Sequence, residues 1–161
     1  MKYHFDLIYN KMKPAEFLDS ITSLFEFRTI KDTAGNEYVF YRFFDTSFLE
    51  ESDILPNPEE RTIKGMDRTA LEAVDNHIHI VDNPKRKDFE KLCVAGEKLG
   101  KMMLAKLKYD FPDKKFCVFV TIEIDETMTI RFHQQWDGES YYFNPEDYKD
   151  KKDVKIMGFY C

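Results

Sequence analysis

His77-Ile78-His79 places two imidazoles on one face of any extended segment, and Asp82 follows three residues later. Metal sites can begin this way, but a catalytic metal needs a third protein ligand and an open position. No other spacing in the chain nominates that ligand, so His4 or His133 would have to arrive through space. On this reading the protein is a small metal-dependent or hydrolytic enzyme using His77, His79 and Asp82; the plainer reading is an edge strand. Cys117 and His133 offer a second pairing, a thiol near an imidazole. Nothing beside them supplies an activating group or an oxyanion hole. No cofactor motif accompanies either set.

Charge is distributed unevenly. The 161 residues carry 24 Lys and Arg against 30 Asp and Glu, a net −6. Residues 45 to 60 alone carry six acids, Asp45, Glu50, Glu51, Asp53, Glu59 and Glu60, and no base. Residues 85 to 115 run the other way, with ten bases and five acids. An acidic chain is a poor general binder of phosphate backbones. Nucleic-acid binding through the basic helix at 85 to 108 is therefore the third reading, and that helix lacks interleaved aromatics for stacking. Uncompensated carboxylates in a loop suit electrostatic steering toward a basic partner.

Elements must hold these groups in place. Phe17, Leu18, Ile21, Leu24 and Phe25 recur at helical spacing behind Pro14, predicting a helix over 14 to 25, whereas residues 3 to 9 fit strand or helix. Two strands, 27 to 30 and 38 to 44, flank the turn-rich Asp32-Thr-Ala-Gly-Asn36 as a hairpin. Pro56-Asn-Pro58 breaks the acidic stretch, so about 45 to 62 reads as an exposed loop. A short helix over 67 to 76, a strand over 77 to 81 and a long helix from Asn83-Pro84 to about Lys108 follow. Gly96 and Gly100 lie on the apolar stripe of that helix with Phe89, Leu92, Leu99, Met103 and Leu107, which implies a close approach to a sheet or another helix.

The C-terminal third alternates at period two. Phe116, Val118, Val120, Ile122 and Ile124 share one face, and Met128, Ile130, Phe132 and Trp136 share another. Parity pairs Ile124 with Met128 around a loop of Asp125-Glu126-Thr127, and Asp137-Gly138 reads as a two-residue hairpin pairing Trp136 with Glu139 and His133 with Tyr142. Phe119, His133 and Tyr142 then form an outer row, with Arg131 and Glu123 on a diagonal. Asn144-Pro-Glu-Asp147 reads as a capped helical turn, and 154 to 160 as a last strand. The fold class is α+β: a single domain with a C-terminal antiparallel meander and helices over one face.

The N-terminus is charged too early for a secretion signal, and the longest apolar run, 116 to 122, is far short of a membrane span. Three cysteines without a paired spacing suit reduced thiols. The expected protein is cytoplasmic, without a membrane association.

Thr129-Ile-Arg-Phe-His133, Trp136-Asp-Gly-Glu139 and Pro145-Glu-Asp-Tyr148 before a final strand resemble the end of small single-domain immunity proteins from bacterial polymorphic-toxin and contact-dependent inhibition systems. The likeness covers about 35 residues. It implies a non-catalytic cytoplasmic protein that neutralises a cognate toxin by covering its active site or partner surface. In that reading Glu50, Glu51, Asp53, Glu59 and Glu60 steer toward a basic, nuclease-type toxin, and His133, Trp136, Tyr141 and Tyr142 contribute to the contact.

Overall fold

In a computed structural model, which describes residues 22–42, 54–55 and 66–161, strands β1 (Phe27–Asp32) and β2 (Glu37–Tyr41) pair antiparallel around Asp32. The Asp32 carboxylate accepts from the backbone N–H of Ala34 (2.9 Å) and Asn36 (2.8 Å), from the Asn36 side chain, and from the Tyr38 hydroxyl. It thereby mimics a backbone turn, and Gly35 supplies the positive φ of 86° that the turn needs. The predicted hairpin is present. A short β3 (Ile54–Leu55) pairs parallel with β1. The acids of the 45 to 62 stretch lie outside the described residues, as do residues 3 to 9 and most of the predicted 14 to 25 helix.

Asp67 caps α1 (Arg68–Asp75) by accepting from the Ala70 N–H at 2.7 Å, and Asn76 hands the chain to β4 (His77–Asp82). The long helix begins later than Asn83-Pro84, where Asn83 takes a positive φ of 56°: one 3₁₀ turn at Arg86–Asp88 leads into the 22-residue α2 (Phe89–Asp110). Three strands follow: β5 (Phe116–Glu123), β6 (Thr127–Gln134) and β7 (Val154–Tyr160). The second sheet is antiparallel throughout, in the order β4-β6-β5-β7. The architecture is α+β, as the sequence pattern implied.

The stripe of α2 lies on one face of this sheet, against Val118, Val120, Ile122, Met128, Ile130 and Phe132. A Cβ on Gly100 would overlap the Phe159 ring, and one on Gly96 would meet Met157 Cε at 2.9 Å. Each glycine costs about 1 kcal/mol of helix propensity. Burying one large apolar side chain is worth about 1.5–3 kcal/mol, so the close approach prevails.

Two expectations for the meander require correction. Its faces are right, but Ile122, not Ile124, pairs with Met128, and the three-residue loop is Ile124-Asp125-Glu126. Thr121, Phe119 and Cys117 accordingly sit opposite Thr129, Arg131 and His133. The Asp137-Gly138 turn forms, with Glu139 N–H donating to Trp136 C=O, yet no strand follows it. The edge of β6 is already occupied: β4 pairs with residues 127 to 131, the Asn76 carbonyl accepts from Phe132 N–H, and the Glu72 carboxylate accepts from Gln134 N–H. β7 reaches the sheet at the opposite edge, beside β5.

Candidate protein-binding surface

Arg68, Glu72 and Asn76 recur every four residues along α1, one polar line facing both sheets. Glu72 is fully buried. Its Oε1 accepts from Val39 N–H (2.8 Å) and Gln134 Nε2 (2.7 Å), and its Oε2 from Gln134 N–H (2.6 Å) and Trp136 Nε1 (3.1 Å). Asn76 completes the seam by accepting from Tyr41 N–H and donating to Val39 C=O. The side chains of α1 thus stand in for a strand between β2 and the end of β6. Burial pushes the Glu72 carboxyl up to about 7, against the pull of its four donors. Sequence reasoning missed this residue, although an acid and an amide spaced by four on a short amphipathic helix were visible in the sequence.

Trp136 was expected to anchor a partner, but its ring is committed to the same seam. It packs on Tyr38 at 5.3 Å and lies under the Arg68 guanidinium at 4.6 Å. Arg68 Nε donates to Glu139 Oε1 at 2.6 Å, and Thr69 N–H donates to Oε2 at 2.7 Å. Burial alone would raise the Glu139 carboxyl; Arg68 and Thr69 outweigh it and hold the group below its ordinary value.

Beyond the turn, residues 139 to 148 fold back over the outer face of the sheet and cover it. Phe119 and His133 are buried there and stack at 5.8 Å, with Phe143 edge-on to Phe119. Arg131 lies 5.0 Å over both the Tyr142 and the Phe143 rings. His133 Nδ1 is 2.6 Å from its neighbour's carbonyl, Gln134 C=O, and Nε2 is 3.4 Å from Tyr142 N–H. A carbonyl only accepts and an N–H only donates, so the imidazole is neutral with its proton on Nδ1. Burial holds its pKa below the ordinary histidine value. His133 and Tyr142 are brought together as expected, but as a clamp inside the protein rather than as a surface.

The surface lies at the rim of that cover. An open groove of about 660 Å³ is lined by Gln135, Glu139, Tyr141, Phe143, Asn144 and Tyr160, among others. Tyr141 and Tyr160 are 46% and 44% exposed, with rings 5.1 Å apart, and Gln135 Nε2 donates to the Tyr141 hydroxyl at 2.6 Å. Tyr160 is fixed from beneath by Phe119, edge-on at 5.9 Å. Two half-exposed rings held by packing and a hydrogen bond offer apolar area with little side-chain entropy left to lose.

A family model matches residues 15–158. The chain belongs to the Uncharacterized protein PM0498 family. No curated protein matches the chain, and no solved structure matches it.

His77 and His79 do share a strand face, with rings 4.7 Å apart. His79 Nδ1 lies 3.0 Å from Thr127 Oγ1 and 3.8 Å from Asp82 Oδ1. Among the described residues, no three His, Cys, Asp or Glu side chains gather as a metal site, so the third ligand is not supplied there. Cys117 sits directly opposite His133 but is fully buried, and burial pushes its thiol up to about 12, far from a reactive thiolate. All three cysteines are free. Among the described residues no helix is long and apolar enough to cross a membrane.

Proposed function

We propose that this protein is a non-catalytic cytoplasmic binding protein that neutralises a basic protein partner, a nuclease-type toxin, by occluding its active site or partner surface. The observation that carries this reading is the Tyr141–Tyr160 groove, a preorganised aromatic patch of the kind that dominates protein interfaces. The acids Glu50, Glu51, Asp53, Glu59 and Glu60 supply long-range attraction to the partner, and the tyrosines supply the short-range anchor. His133, Trp136 and Tyr142 act one step back, by holding the segment that presents Tyr141.

The test uses the open reading frame immediately upstream of the gene as the candidate toxin. Expressed alone, its product is expected to arrest growth, and co-expression of this protein to restore it. Protection should be lost with Tyr141→Ala. A neighbour that is harmless and does not bind this protein overturns the toxin assignment.

A further inference from the structure

The bases between residues 85 and 115 divide according to whether a carboxylate answers them. Lys85 pairs with Asp125, Arg86 with Asp153, Lys101 with Glu97, Lys106 with Asp110 and Lys114 with Glu37. Among the described residues Lys91, Lys98 and Lys108 of α2 have no carboxylate within ion-pair distance. Two of these three fall on one line. Lys91, Val94, Lys98, Met102, Ala105 and Tyr109 advance by three or four residues and form a ridge opposite the buried Gly96, Gly100, Met103 and Leu107. All six are exposed, Val94 by 56%, Met102 by 57% and Tyr109 by 83%. The ridge contains no acid, and the nearby Glu97 and Asp110 are tied to Lys101 and Lys106.

We propose that this ridge docks an amphipathic helix of a partner protein, one whose apolar stripe is flanked by carboxylates. From Lys91 to Tyr109 it spans about 27 Å, five turns, at about 1.5 Å per residue. Val94, Met102 and Tyr109 would bury against the partner's apolar positions, and Lys91, Lys98 and Lys108 would meet its flanking acids, as charges beside a helical seam do. The interleaving decides between occupants. A phosphate backbone gains nothing from exposed Val94 and Met102, the ridge has a single ring for base stacking, and the net charge of −6 repels a polyanion. A second copy would set lysine against lysine. The ridge lies across the four-stranded sheet from the tyrosine groove, so this inference stands apart from the toxin reading.

The probe is a synthetic Leu/Glu heptad peptide of about 21 residues, with a Leu/Lys peptide of the same pattern and a single-stranded RNA as controls. Each is titrated into the full-length protein by fluorescence anisotropy at low and physiological salt. The Leu/Glu peptide is expected to bind, at least about tenfold more tightly than the Leu/Lys peptide, and to weaken about tenfold with either Met102→Ser or the pair Lys91→Glu and Lys98→Glu. These positions are exposed, so unchanged circular dichroism melting will separate lost contact from lost folding. Absence of Leu/Glu binding, equal binding of the two peptides, or tighter binding of the RNA overturns the proposal. So does a dimer in sedimentation equilibrium that Met102→Ser dissolves, since that would make the occupant a second copy.

Discussion

The indole N–H of Trp136 donates to Glu72 Oε2 at 3.1 Å, and Trp136 is the chain's one tryptophan. Its fluorescence therefore reports the protonation of a buried carboxylate. An emission change with a midpoint near pH 7 is expected, and Glu72→Gln should abolish it. The same substitution places an amide NH₂ against N–H donors and should cost about 1–3 kcal/mol in urea unfolding.

Glu72 also fixes the sign of a stability term. Its pKa in the folded protein is raised above that of an exposed glutamate, so the folded chain holds the proton more tightly. That contribution is fully present below about pH 4.5 and is lost as pH rises through about 7. Urea midpoints across this window should therefore decline more steeply in the parent than in Glu72→Gln. Parallel pH dependences would mean that Glu72 stays ionised throughout.

Much of this arrangement was legible locally. Asp32-Thr-Ala-Gly-Asn36 named a turn and Asn144 before Pro145 a cap, and the side chains of Asp32 and Asn144 make the hydrogen bonds of such motifs. Period two assigned the faces of β5 and β6 correctly but missed the offset, because a shift of two residues leaves every side chain on its face. The strand expected after Asp137-Gly138 failed for a non-local reason. Its hydrogen-bonding edge is taken by β4, Asn76 and Glu72, sixty residues earlier in the chain, and nothing near Trp136 announces them. The groove is a product of that displacement: Tyr141 reaches Tyr160 only because residues 139 to 148 turn back over the sheet.

His133 yields a prediction of opposite sign. Burial lowers its pKa, so the unfolded chain takes up a proton below about pH 6.5 that the folded chain refuses. Its stabilising contribution is present above that pH and is lost as pH falls. In an NMR titration the His133 Cε1–H resonance should hold its neutral position below pH 6.5, with the proton on Nδ1. A midpoint at or above 6.5 would contradict the clamp between Gln134 C=O and Tyr142 N–H.

The two helix glycines should respond differently to alanine. At Gly100 the added Cβ overlaps the body of the Phe159 ring, whereas at Gly96 it meets two flexible methionine tips, Met157 and Met128, and Val120 Cγ1 at 3.0 Å, a contact that a few tenths of an ångström relieve. Alanine gains about 1 kcal/mol of helix propensity at either site. Overpacking costs about 1–3 kcal/mol, so Gly100→Ala should be net destabilising while Gly96→Ala stays near neutral. Chemical denaturation of both variants checks this, and equal effects would mean that the Phe159 ring moves aside without cost.

Steering and anchoring, if they are divided as proposed, act on different rate constants. Glu50→Lys with Glu51→Lys reverses two of the proposed steering charges, so it should slow association and flatten its dependence on salt while leaving dissociation nearly unchanged. Tyr141→Ala removes a half-exposed ring that, among the described residues, is held by Gln135 and Tyr160, so it should leave folding intact and the salt slope unaltered. Its cost should appear in dissociation, at about 2 kcal/mol or roughly thirtyfold, the scale of an interface hot spot. Surface plasmon resonance with the captured partner reads both constants in one experiment. A charge reversal that leaves the on-rate untouched at low salt removes the acidic segment from the mechanism, and a Tyr141→Ala variant that dissociates like the parent moves the anchor away from the groove.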